Sequence, residues 1–136
     1  MTTQEILTKY NTIAVFGMSG NPTKAAYEVP EFMMKNGYKI IPINLVEKEI
    51  LGKEVYHSIM EVPDKIEILD VFRPSQEALD VVKQAIERKK AKGDIDVIWL
   101  QLGIYNDEAK ELAEQNGIEF VQNKCLKIEY NSQIKD

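Results

Sequence analysis

The residues with chemical potential in this sequence are few, and they follow short apolar runs. Gly17-Met18-Ser19-Gly20-Asn21-Pro22 comes directly after Thr12-Ile13-Ala14-Val15-Phe16 and leads to Lys24. Glycine permits a tight turn at the end of a strand, and Ser, Gly and Asn tolerate unusual backbone angles. Such a turn opening a helix offers N–H groups and a positive dipole end to an anion, and Lys24 adds a charge. The segment has neither a full G-x-G-x-x-G nor the Gly-Lys-Ser/Thr of a P-loop. Phosphate binding is therefore supported and ATP or GTP hydrolysis is not; a strand-to-helix turn without a ligand is the competing reading.

Two further segments bear on the ligand. A typical NAD site carries Asp or Glu at the end of the second strand to hold the ribose, but Pro42-Ile43-Asn44-Leu45 has Asn44 there. Asn can bond a ribose or an adenine edge. Glu47 and Glu49 lie beyond the strand end, so NAD is weakened but not excluded. Phe72-Arg73-Pro74-Ser75 sets an arginine and an aromatic ring at the next strand end, where Arg73 can clamp a phosphate or stack on a base, or else form a surface ion pair.

Catalytic groupings are missing from the pattern. Ser19 as a nucleophile would need a base, and the single histidine, His57, reads with Tyr56 and Ser58 as a surface turn in a separate loop. Asp94 and Asp96 flank Ile95 at the start of a strand, opposite the ligand edge, and read as solvated or capping carboxylates. Asp107 and Glu108 open a helix, where carboxylates favour the dipole. No cluster has metal-ligand spacing. Cys125 is flanked by Lys124 and Lys127, cations that favour a thiolate; the alternative is a small buried apolar residue.

The elements that position these residues alternate between β-rich runs and amphipathic stretches. Thr2 and Glu5 have capping-box spacing for an opening helix. Strands are expected over 12–16, 38–43, 66–72, 96–100 and 118–121. Helices are expected over 24–36, with Pro30 forcing a late start or a bend, over 75–92 capped by Ser75, and from the Asn106 cap to Gly117. A last helical turn or two is expected over 125–132, and 44–65 reads as loop. Alternation of this kind gives a doubly wound α/β domain of the Rossmann kind, a parallel sheet of about five strands with helices on both faces. In such sheets ligands bind at the carboxyl ends of the strands, here segments 17–24, 44–48, 72–75, 100–106 and 122–125.

Composition sets the outer limits. The 136 residues suit one domain, 1–136 with its core over about 10–130, and no internal repeat or linker divides it. Seventeen basic against 22 acidic side chains give a net charge of −5, which argues against a nucleic-acid partner. The densest basic run, Arg88-Lys89-Lys90-Ala91-Lys92, reads as cations at a helix C-terminus. No apolar run approaches the roughly 18 residues of a membrane span. The N-terminus has no secretory pattern, and one cysteine cannot form an internal disulfide, so the expected compartment is the cytoplasm. A homodimer is compatible with so small an acidic domain.

These segments together resemble the CoA-binding domain family. The resemblance rests on Ile13-Ala14-Val15-Phe16-Gly17-Met18-Ser19 with Lys24, on Gly37-Tyr38-Lys39-Ile40-Ile41-Pro42-Ile43-Asn44, and on Ile50-Leu51-Gly52-Lys53-Glu54-Val55-Tyr56. Asp70-Val71-Phe72-Arg73-Pro74 and Trp99-Leu100-Gln101-Leu102-Gly103 complete it, in order, over residues 10–130. The family's small stand-alone members are related to the nucleotide-binding domain of the succinyl-CoA synthetase alpha subunit. The resemblance implies coenzyme A or an acyl-CoA as ligand, with no established reaction. It assigns Gly17, Met18 and Ser19 to the phosphate turn, with Lys24 beside it. It adds Pro42 and Asn44, then Phe72, Arg73 and Pro74, then Gln101, Gly103 and Asn106. Cys125 falls in a matching Cys-x-Lys-x-Glu stretch, and with the pantetheine thiol it implies a mixed disulfide with CoA. Leu45 replaces a proline usual after the asparagine, and Ala26 replaces a common serine, which removes one phosphate-binding hydroxyl. The expected role is a CoA sensor, carrier or thiol-protection module. A small NAD(P) oxidoreductase and an interaction module with a vestigial crevice are the alternatives.

Overall fold

The β-branched run Thr12–Phe16 forms β1 at the expected place in the computed structural model, which describes residues 1–135. Before it, α1 (Thr3–Lys9) carries both halves of the capping box between Thr2 and Glu5. The strands β2 (Lys39–Ile43), β5 (Ile68–Val71), β6 (Val97–Leu100) and β7 (Glu119–Val121) complete a parallel sheet ordered β2-β1-β5-β6-β7. Helices α3 (Ala78–Lys92) and α4 (Asp107–Gln115) cover one face of the sheet, packing Val82, Ala85 and Ala113 against Ala14, Leu69 and Ile98. Helices α1, α2 (Ala25–Lys35) and α5 (Leu126–Gln133) cover the other, over Val15, Ile68 and Trp99. The chain runs outward from β1 to β2, then returns to β5 and proceeds the opposite way, so the strand order reverses between β1 and β5. That reversal is where an open parallel sheet leaves a crevice at its carboxyl edge.

Pro30 neither delays nor ends α2. A proline has no N–H for the carbonyl four residues back, here Ala26. That carbonyl instead accepts the Ser19 N–H at 3.1 Å, which ties the helix to the glycine turn. Pro42 is equally well placed. β2 is an edge strand, and on its outer side the Pro42 carbonyl accepts the Tyr56 N–H while Asn44 donates to Tyr56, so the missing N–H is not needed.

Several expectations are corrected. Ser75 does not cap α3: a 3₁₀ turn over Ser75–Glu77 precedes the helix, and the Ser75 hydroxyl accepts the Tyr105 N–H. Within 44–65 lies a small hairpin, β3 (Glu49–Ile50) and β4 (Lys53–Glu54). Its two central residues, Leu51 and Gly52, both have positive φ, as a tight hairpin turn demands. Lys89, Lys90 and Lys92 are the expected helix-end cations, but Arg88 is not one of them and is 1% exposed. It donates to the carbonyls of Ile59, Val62 and Asp64 and to the Asp94 carboxylate, and so anchors the loop ahead of β5. Asp94, expected to be solvated or capping, is buried in that pair and also accepts the Ile66 N–H. Burial would raise its pKa, but the Arg88 and Ile66 bonds outweigh this and hold it below the usual range.

Candidate functional site

The two central strands come so close at their carboxyl ends that only glycine fits. Gly17 has φ +88°, and a Cβ there would stand 2.8 Å from the Phe72 carbonyl oxygen and 3.0 Å from Arg73 Cδ. Beyond it, the turn is knitted together by its own amides. Gly17 and Met18 both donate to the Ile43 carbonyl, Ser19 to Ala26, and Lys24 to Asn21. The Ser19 hydroxyl accepts the Asn21 N–H, and the Asn21 side chain accepts both the N–H and the hydroxyl of Thr23. Tyr27 and Glu28 are the first α2 residues to donate back, both to Lys24, so the helix's open N-terminal donors are at Ala25 and Ala26. The turn's capacity for an anion thus lies one step further along the chain than Gly17–Ser19. Met18 has its side chain wholly in the core, and Lys24 stands exposed as the N-cap of α2.

Asn44 works as a staple between loops. Its Nδ2 donates to the Met18 carbonyl at 2.8 Å, and its Oδ1 accepts the N–H groups of Val46 and Glu47. This draws the 44–48 loop over the glycine turn, where the Glu47 carboxylate lies against Gly20. A cavity of about 430 Å³ opens beside the turn, walled by Phe16, Ile43 and Val81 with Asn44, Gln84 and Arg73. The Arg73 guanidinium is closed onto Glu77 through two 3.0 Å bonds. Asp80 and His57 also line this space. Apolar walls with a few polar groups at this volume suit one ring-sized portion of a small ligand.

The remaining expected residues divide between the two faces. Phe72 turns away from Arg73 and packs on the α1/α2/α5 side. Gln101 is buried, and its Nε2 donates at 3.0 Å to Asp70 in the middle of β5. Asp70 is fully buried, and its Oδ2 has no partner among the described residues. Burial pushes its pKa up to about 8, with the Gln101 bond pulling the other way. Gly103 donates to the Asn123 side chain, and Asn106 caps α4 while holding the Ser75 carbonyl. Pro74 leads into the 3₁₀ turn. These four are structural in what they touch. Cys125 is half-buried at the N-cap of α5, packed toward the α1/α2/α5 side. The Lys127 ammonium beside it is engaged with Glu28 on α2 at 2.6 Å.

Thus Gly17, Asn44 and Arg73 meet at the cavity, whereas Met18, Phe72, Gln101 and Cys125 gather on the opposite face of the same edge. Sequence reasoning read His57 as a surface turn and quoted Asp70 only within a motif, giving neither a role at the site. A carboxylate inside Ile68-Leu69-Asp70-Val71 was a readable signal for the second. Nothing local marked the first, because the parallel bridge of Tyr56 to Ile43 brings His57 to the strand ends.

Among the described residues no group of His, Cys, Asp and Glu could hold a metal ion, and no helix is long and apolar enough to cross a membrane. Relatives share this frame. An uncharacterized protein of Bacillus subtilis (strain 168), YneT, is 33% identical over 125 residues, 92% of this chain and 89% of its own. A hypothetical protein from Pyrococcus horikoshii OT3 superposes with a TM-score of 0.89 at 33% identity, covering 98% of this chain and 93% of the other. The alpha subunit of ADP-forming acetate–CoA ligase II from Pyrococcus furiosus is 29% identical over 85% of this chain, which spans 27% of that subunit. The family model described as a CoA binding domain matches residues 11–131, a stretch that includes every strand end of the crevice, and the chain belongs to that family.

Proposed function

We propose that the carboxyl edge of the sheet binds coenzyme A or an acyl-CoA across the β1/β5 reversal. The adenosine end occupies the 430 Å³ cavity on the α3 side. The pyrophosphate lies over the 19–26 segment, facing the open amides of Ala25 and Ala26 with Lys24 alongside. The pantetheine arm then crosses to the other face, toward Phe72 and Cys125. The observation that carries this reading is the cavity opening beside the glycine turn at the strand-order reversal, in a chain of the CoA-binding domain family. Arg73 supports it as a cation at the cavity that must exchange Glu77 for a phosphate. The expected role is a CoA sensor, carrier or thiol-protection module working in the cytoplasm, with CoA and not nucleic acid as partner. The acidic charge and lone cysteine support that setting.

Native mass spectrometry of the purified protein, followed by calorimetric titration with CoA, dephospho-CoA and NAD, tests this. Retained CoA, or CoA binding more tightly than NAD, is the expected result. Tightest binding of NAD would make the site a dinucleotide crevice, and no binding of any of the three would make it vestigial.

A further inference from the structure

His57 stands in an exposed loop, yet its ring is held in one orientation. The segment before it pairs with the end of β2, and Nδ1 lies 2.9 Å from the Asn44 carbonyl oxygen. A carbonyl can only accept, so Nδ1 carries the proton and Nε2 is the ring's remaining nitrogen. No protein partner for Nε2 occurs among the described residues, and the side chain lines the cavity. Its backbone N–H is taken by Glu61 from the same loop.

The charged groups lining that cavity are Arg73 at the end of β5, Glu77 in the 3₁₀ turn and Asp80 on α3; the 44–48 loop lines it with Asn44, Leu45 and Val46 and turns its Glu47 carboxylate against Gly20, while the Glu61 carboxylate lies on the His57 backbone N–H. Arg73 against two lining carboxylates leaves one negative charge, and without a ligand Arg73 is closed onto Glu77. A phosphate entering this space meets repulsion unless another cation is present. Among the lining groups the only further one that can become a cation is His57.

We propose, resting on the CoA reading, that His57 is a specificity residue for the adenosine end of the ligand. As an imidazolium, with Nδ1 still donating to Asn44, it donates through Nε2 to the 3′-phosphate of CoA and cancels the cavity's residual negative charge. As a neutral ring it offers Nε2 only as an acceptor, and the 3′-phosphate gains nothing. His57 thereby adds to the preference for CoA over dephospho-CoA, which differ only in that phosphate.

The test is calorimetric titration of both ligands at a single pH, with the wild-type protein and His57→Gln. Comparing the two proteins at one pH removes the titration of the 3′-phosphate, which dephospho-CoA lacks. A CoA preference of about tenfold, the scale of one charge-assisted hydrogen bond, should be lost in His57→Gln. Equal affinity of the wild type for the two ligands, or a preference that His57→Gln retains, overturns the role of His57 while leaving CoA binding standing. Failure of both ligands to bind overturns the CoA reading and this inference with it.

Discussion

Replacing Asp70 with Asn should make the protein more stable at neutral and alkaline pH, by an amount that grows with pH. The side chain is fully buried in β5, its Oδ1 has one donor from Gln101, and its Oδ2 has none among the described residues. Its pKa is about 8 in the folded chain against 3.8 for the ordinary side chain. Between those values the folded state keeps a proton that the unfolded state has released. Stability is therefore complete below pH 3.8, falls as pH rises, and levels off above about 8. At about 1.4 kcal/mol per pH unit, roughly 4 kcal/mol is lost by pH 7. That is a large share of the roughly 5–15 kcal/mol typical of a domain. Asn keeps the shape without an ionisable proton, and a flip of the Gln101 amide offers its oxygen to the new amide. Urea unfolding from pH 4 to 8 can be followed through Trp99, the only tryptophan and fully buried. The two proteins should differ little at pH 4, and the variant should lead by several kcal/mol at pH 8. Parallel stability curves across that range would show that Asp70 ionises alike in both states and would refute the reasoning.

Other perturbations follow from the same geometry. Arg88→Met should cost about 3–5 kcal/mol in urea unfolding, because it leaves Asp94 buried without its cation and frees the carbonyls of Ile59 and Val62; a loss under 1 kcal/mol would show that water replaces the guanidinium. Gly17→Ala should destabilise by at least about 1–3 kcal/mol, since φ is +88° and the new methyl meets the Phe72 carbonyl, whereas Gly37→Ala, with φ +96° but open space around it, bears the backbone strain alone. Arg73→Ala should weaken CoA by roughly 1.5–3 kcal/mol in calorimetry if the guanidinium leaves Glu77 for a phosphate; unchanged affinity would mean the pair stays closed. With CoA disulfide, the Cys125 thiolate should attack one sulfur and expel CoA thiolate, raising the intact mass by one CoA in the wild type and not in Cys125→Ser; equal masses would make Cys125 a packing residue.

What the sequence alone determined is what depends on neighbours a few residues away. The capping box of Thr2 and Glu5, the Asn106 cap and the alternation of strands with helices are all written within one or two turns of chain. From that alternation came the parallel sheet, and from the sheet the edge at which to look for a ligand. The tertiary structure decided everything that rests on a partner far along the chain. Pro30 sits inside a helix because Ser19 supplies the amide that proline lacks. Asn44 staples two loops through Met18. Arg88 and Asp94 look like solvated charges until the 59–64 loop closes over them and leaves them no water to bond. His57 reaches the cavity only because Tyr56 pairs with the end of β2. Periodicity reports which face of an element is apolar, but a polar side chain's role is set by what satisfies it once water is gone, and that partner is chosen by the fold.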